Sequence, residues 1–165
     1  MRDAEEQSGG VVSLCSLKVD GRWFGIDTRQ VWEVLGDAVP QRVPLAPEYI
    51  AGVVSYRGEV LTTVSFRTLL GVTGGDGQGC VLVLDDEGEE RFGLLVDGVG
   101  GVLEVKCGSL EENPRSLDVR SMELFDGTYR TDEGLIVHLD PRRLRPVRLA
   151  EAGLFETATT GGGTR

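Results

Sequence analysis

The feature that most constrains this chain is a self-match at an offset of 68 residues. Phe24-Gly25-Ile26 falls on Phe92-Gly93-Leu94, Val31 on Val99, Val34 on Val102 and Leu35 on Leu103, while the preceding segment sets Leu14 on Leu82 and Cys15 on Val83. Each half thus carries a strand, a charged turn, a Phe-Gly strand, a bend and Val-x-x-Val-Leu. A repeated supersecondary unit of this kind implies two similar lobes. A lobe of roughly 70 residues is marginal by itself, because so small a chain buries too little surface, so the lobes should share a core. A seam between them is a natural place for a partner to bind.

The local patterns predict an all-β chain. Val11 to Val19 and Trp23 to Asp27 form a hairpin around Asp20-Gly21, a turn that tolerates positive φ. Thr28 to Val34 has room for one helical turn, and Val39 to Pro47, with three prolines, reads as a loop. Ile50 to Tyr56 and Glu59 to Ser65 flank the corner Arg57-Gly58, and Phe66 to Leu70 is a short helix stopped by Gly71. Thr73 to Gly79 reads as a mobile connector. Strands then follow at Cys80 to Leu84, Phe92 to Val96 and Val102 to Val105, with a loop at Glu111 to Arg115. A last hairpin joins Ser121 to Arg130 with Leu135 to Leu139, and Asp140-Pro141 starts a helical segment divided by Pro146. The expected organisation is a disordered start over 1–10, one domain over 11–155 with lobes of roughly 11–71 and 79–145, and a disordered tail over 156–165.

Charge and composition narrow the function. The 27 acidic and 17 basic residues give a net charge of -10, which repels phosphate backbones and argues against nucleic-acid partners. Arg142, Arg143, Arg145 and Arg148 read as a solvated helical face. The polar start lacks a signal-peptide pattern, and the most apolar run, Phe92 to Val105, is broken by Asp97 and Glu104, so no membrane insertion is expected. Cys15, Cys80 and Cys107 are unpaired in pattern and read as reduced residues of a cytoplasmic protein.

No motif for chemistry emerges. His138 is the one histidine, set in a strand pattern without a nucleophile motif, and no zinc spacing exists. The glycine-rich stretch 74–79 lacks a following Gly-Lys-Ser/Thr and helix, and Gly98-Val99-Gly100-Gly101 is equally weak. Asp85-Asp86 and Glu111-Glu112 lie in turns, where charge is ordinarily solvated. The reading is a non-enzyme with no catalytic residue, cofactor or metal.

Five phrases in order resemble the CheW domain. They are Phe24-Gly25-Ile26-Asp27 with Val31-Trp32-Glu33-Val34-Leu35; the stretch Val43-Pro44-Leu45-Ala46-Pro47-Glu48-Tyr49-Ile50-Ala51-Gly52-Val53; Tyr56-Arg57-Gly58-Glu59-Val60; Phe92-Gly93-Leu94-Leu95-Val96-Asp97-Gly98-Val99; and Gly134-Leu135-Ile136-Val137-His138-Leu139-Asp140. The resemblance implies two packed SH3-like five-stranded β-barrels with short helices. It further implies a chemotaxis adaptor that binds the cytoplasmic tip of chemoreceptors and the regulatory domain of a CheA-type histidine kinase, in the cytoplasm at membrane receptor arrays. The chain departs from the family's usual proline and aspartate after Arg-Gly, with Thr62 and Ser65, and from its Asn-Leu, with Ser55-Tyr56. The alternatives are a diverged scaffold of a non-motility chemosensory pathway and a small-ligand or peptide-binding barrel.

Candidate partner-binding residues follow. Arg57, before Gly58, either braces its corner against local carbonyls or offers its donors to a partner carboxylate. Strand alternation turns Glu33 away from the apolar face, toward a basic partner or plain solvent. Val31, Val34, Val99 and Val102 either line a groove between the lobes, where the family resemblance sets the receptor tip, or are core.

Overall fold

The computed structural model describes residues 10–72, 79–85, 90–112 and 123–152. The expected disordered tail lies outside them, as do the expected disordered start apart from Gly10 and the connector apart from Gly79. Among the described residues are ten strands: β1 (Val11–Val19), β2 (Arg22–Asp27), β3 (Val31–Ala38), β4 (Ile50–Tyr56), β5 (Glu59–Ser65), β6 (Gly79–Leu84), β7 (Phe92–Val96), β8 (Gly98–Lys106), β9 (Phe125–Thr131) and β10 (Gly134–Leu139). Three short helices are α1 (Phe66–Leu69), α2 (Pro141–Leu144) and α3 (Pro146–Ala152).

The strands form two five-stranded sheets, in the orders β8-β1-β2-β10-β9 and β3-β6-β7-β5-β4. These sheets correct the division at 11–71 and 79–145. One is built from an unbroken run, β3 to β7; the other joins β1 and β2 to β8, β9 and β10. The exchange is reciprocal. β3 pairs with β6 through Val31↔Leu84, Val34↔Leu82 and Leu35↔Val81. β8 pairs with β1 through Val99↔Leu17, Val102↔Cys15 and Leu103↔Leu14. Apolar alternation gives a strand its faces but not its neighbour, so the two halves could not be told from two interlocked sheets by pattern.

These registers support the duplication and adjust it. Cys15, opposite Ile26, takes the place that Leu82, opposite Leu94, holds in the second half, so the first strands correspond one residue closer than the Phe-Gly strands. The extra residue is absorbed in the longer connection between β6 and β7. Three sequence boundaries also move: Thr28–Gln30 is a single 3-10 turn and Val31 already begins β3, the strand expected from Val102 already begins at Gly98, and the penultimate strand starts at Phe125, after helical Glu123-Leu124.

Each sheet closes on itself. After β3 the chain returns at Gln41 to exchange two backbone hydrogen bonds with Val53 of β4, at 2.9 and 2.8 Å. After β8, Glu111 does the same with Thr128 of β9, both bonds at 2.8 Å. Because β3 and β4 are the two ends of one sheet, and β8 and β9 of the other, each bridge converts a sheet into a small barrel. Gly52 (φ +147°) and Gly127 (φ +157°) make the approach possible, since a Cβ at either would collide with the carbonyl oxygen of Gln41 or Glu111.

One core serves both barrels. Leu17, Phe24 and Ile26 from one meet Val64, Phe66, Leu82 and Leu94 from the other, and the Phe24 and Phe66 rings meet edge-on at 4.8 Å. Each barrel also keeps a small interior of its own: Leu14, Val105, Tyr129 and Ile136 in one, Tyr56, Leu61 and Val83 in the other. At roughly 1.5–3 kcal/mol per fully buried large side chain, the shared layer outweighs either private interior. Both barrels end alike: Ser65 accepts from Thr68 N at 3.3 Å to cap α1, and Asp140 accepts from Arg142 N at 3.0 Å to cap α2. Ser65, one of the departures from the resemblance noted above, thus serves as a helix cap.

Candidate functional site

The structure brings Glu33, Tyr56, Arg57 and Gly58 together on the contiguous barrel. Tyr56 and Arg57 end the β4–β5 hairpin, whose central residues Arg57 (φ +50°) and Gly58 (φ +80°) have the paired positive φ of a type I′ turn. That turn swings Arg57 back over the Tyr56 ring, 5.4 Å from its centroid, and onto Glu33 of β3. The Tyr56 hydroxyl donates to Glu33 Oε1 at 2.9 Å, and Arg57 Nη2 donates to the same oxygen at 3.0 Å. The Tyr56 hydroxyl, and after it the Arg57 guanidinium, hold the Glu33 carboxyl below its ordinary range; Glu33 in turn pushes Arg57 up.

Glu33 is thus held by two residues of its own chain, with its side chain still 38% exposed. Exposure alternates without a break from Val31 to Leu35, so Val31, Glu33 and Leu35 are the half-buried side of β3 while Trp32 and Val34 are exposed, even though the pairing with β6 shifts between Val31 and Glu33. Arg57 engages the chain's own carboxylate rather than local carbonyls, yet its side chain stays 73% exposed. Exposed pairs of this type contribute little to stability but fix the direction of a charge.

The four valines fall into two equivalent pairs. Val31 and Val99 pack against the shared core, whereas Val34 and Val102 are exposed at 39% and 63%. All four sit on end strands, β3 of one sheet and β8 of the other. The outward side of each end strand therefore offers an apolar position whose counterpart in the repeat faces solvent too.

Sequence reasoning passed over three contributors. Tyr56 supplies the first hydrogen bond to Glu33, and only its position before Arg57-Gly58 hinted at it. Trp32 is 54% exposed, donates from Nε1 to Asp85 Oδ2 at 2.8 Å, and lies under the Arg91 guanidinium at 4.0 Å. Asp97 joins the barrels: its Oδ2 accepts from Arg67 Nη1 of α1 at 2.6 Å and from Asp20 N in the β1–β2 turn at 2.9 Å. His138 is held against Asp126 at 3.1 Å and edge-on to Tyr129. Among the described residues no group of three His, Cys, Asp or Glu side chains is placed to hold a metal ion, and no helix is long and apolar enough to cross a membrane.

The comparisons with known proteins bear on this frame. The family model described as CheW-like domain matches residues 13–146, which takes in β2 to β10, nearly all of β1 and both barrel closures. The chain is 25% identical to the chemotaxis protein CheW of Klebsiella aerogenes over 122 residues, 73% of this chain and 74% of that protein. It is 29% identical to the chemotaxis protein CheW of Rhizobium meliloti over 112 residues, covering 67% and 72% of the two chains. Its fold matches the crystal structure of the scaffolding protein TtCheW from Thermoanaerobacter tengcongensis at a TM-score of 0.69 and 22% identity, over 79% of this chain and 90% of that one. A family match through both interlocked barrels leaves one conclusion: the chain belongs to the CheW-like domain family.

Proposed function

We propose that this protein is a non-enzymatic chemotaxis scaffold that couples chemoreceptors to a CheA-type histidine kinase in the cytoplasm. The observation that carries the reading is the CheW-like match over residues 13–146, shared with relatives named as chemotaxis proteins and a solved relative named as a scaffolding protein. A rigid body with separate exposed surfaces suits that work. The shared core holds the two barrels in one relation, so partners on different faces would be kept at a fixed geometry. Signalling would pass as a coupling free energy between the two interfaces, typically ~1–3 kcal/mol. Val34 and Val102 with the half-buried Val31 and Val99 are the proposed receptor surface, and Glu33, Arg57 and Gly58 a second partner-facing element.

The test is titration of the purified chain against a receptor cytoplasmic hairpin and a kinase regulatory domain, separately and then together. Binding of both, with each tightening the other or with formation of a ternary complex, is the expected result. Binding of one partner that excludes the other would reject the coupling role.

A further inference from the structure

The connection between β3 and β4 carries a feature that folding does not require. Ala46 N donates to Val43 O at 3.3 Å, closing a four-residue turn with Pro44 and Leu45 at its centre. Proline fixes a negative φ at the first central position, and Leu45 follows at φ +68°, which makes this a type II turn. That second position strongly favours glycine, and a bulky side chain there is strained. Among the described non-glycine residues with positive φ, the others are Asp20, Asp37 and Arg57; Leu45 is the one apolar side chain. It is also fully exposed, at 104% of its reference surface. Strain in the backbone thus coincides with an apolar side chain that packs on nothing.

The surroundings hold the turn rigid. Below it, Gln41 is locked to Val53 by both closure bonds; beyond it, Ile50 N donates to Pro47 O at 2.9 Å and Tyr49 is buried. Val43 is exposed at 41% beside Leu45. Arg42, at the foot of the turn, is exposed and has no ion-pair partner among the described residues, although the chain carries a net charge of -10. A preorganised apolar knob with a free guanidinium beside it matches a concave apolar site with a carboxylate on its rim. A globular domain can enclose such a site on several sides, more deeply than the shallow groove between two helices.

We propose that the Val43–Ala46 turn is a docking knob: Leu45 inserts into an apolar, acid-rimmed pocket on a globular partner domain, with Arg42 meeting the rim. This rests on the coupling role proposed above, which supplies the kinase regulatory domain as the probe. The decisive variant is Leu45→Gly, because glycine relieves the strain while deleting the knob. The melting temperature is expected to stay level or rise, and affinity for the kinase regulatory domain to fall at least tenfold, with receptor-hairpin binding unchanged. Arg42→Glu is expected to weaken the same complex and to flatten its dependence on salt. A lowered melting temperature in Leu45→Gly would mean that the leucine serves the fold and would overturn the proposal. Unchanged kinase-domain affinity, or a loss confined to the receptor hairpin, would overturn it while leaving the coupling role standing. If the unaltered chain binds neither probe, the coupling role itself falls, and the knob with it.

Discussion

Gly52→Ala tests the closure of the contiguous barrel most directly. A Cβ at this position would stand 2.6 Å from the carbonyl carbon of Gln41 and closer still to its oxygen, and the backbone there has φ +147°. Holding alanine in such a conformation costs about 1–3 kcal/mol. Moving Gln41 aside gives up the bonds of 2.9 and 2.8 Å to Val53. At about 1 kcal/mol each, these bring the total to roughly 3–5 kcal/mol. Against a typical domain stability of ~5–15 kcal/mol that is a large fraction. At about 2–4 °C per kcal/mol for a chain of this size, the melting temperature should fall by roughly 6–20 °C. Gly36→Ala is the internal control, since Gly36 lacks a positive φ and a Cβ there meets nothing within 4 Å. It should change stability by less than about 0.5 kcal/mol. Thermal and urea melts followed by circular dichroism measure both. A Gly52→Ala variant that melts alongside Gly36→Ala would refute the closure argument.

Further outcomes follow from the same geometry. Val31→Asp and Val99→Asp should each destabilise by at least about 2 kcal/mol in urea melts, while Val34→Asp and Val102→Asp should melt near the unaltered protein. Carbon-detected NMR titration should find the Glu33 carboxyl below the ordinary glutamate range, with Tyr56→Phe moving it back up. The stabilisation from these contacts is therefore present above the unfolded-state glutamate pKa and lost as pH falls through the lower folded value. Phe24→Ala should remove about 3–5 kcal/mol, and calorimetry should still record one transition, because Phe24 lies in the core common to both barrels.

Much of the fold was legible because its signals are local. The turns Asp20-Gly21 and Arg57-Gly58, the Phe-Gly strands and the cap at Asp140 depend on residues within four positions of one another. The repeat exposed the two-lobed plan. What stayed hidden was long-range. The exchange of β3 and β8 pairs segments that the pattern leaves equivalent, so nothing in either strand names its neighbour. Glu33 shares the half-buried side of β3 with Val31 and Leu35, a side the sequence left undecided because apolar residues stand next to each other at Val34 and Leu35. Tyr56 joined the Glu33–Arg57 pair only through the shape of the hairpin, and Leu45 read as one residue of a proline-rich loop until its φ was known.

The strand exchange gives the two barrels different birthdays. All strands of one lie between Val31 and Val96, so it can close before the rest of the chain has been made. The other begins first, with β1 and β2, yet needs β8 to β10. At roughly 5–20 residues per second, the 43 residues from Val96 to the end of β10 at Leu139 take a ribosome roughly 2–9 s. For that interval Leu17, Phe24 and Ile26 have the finished barrel on one side and no completed sheet on the other. The early barrel thus acts as the surface on which the later one is assembled, sheltering an apolar hairpin until its remaining strands arrive.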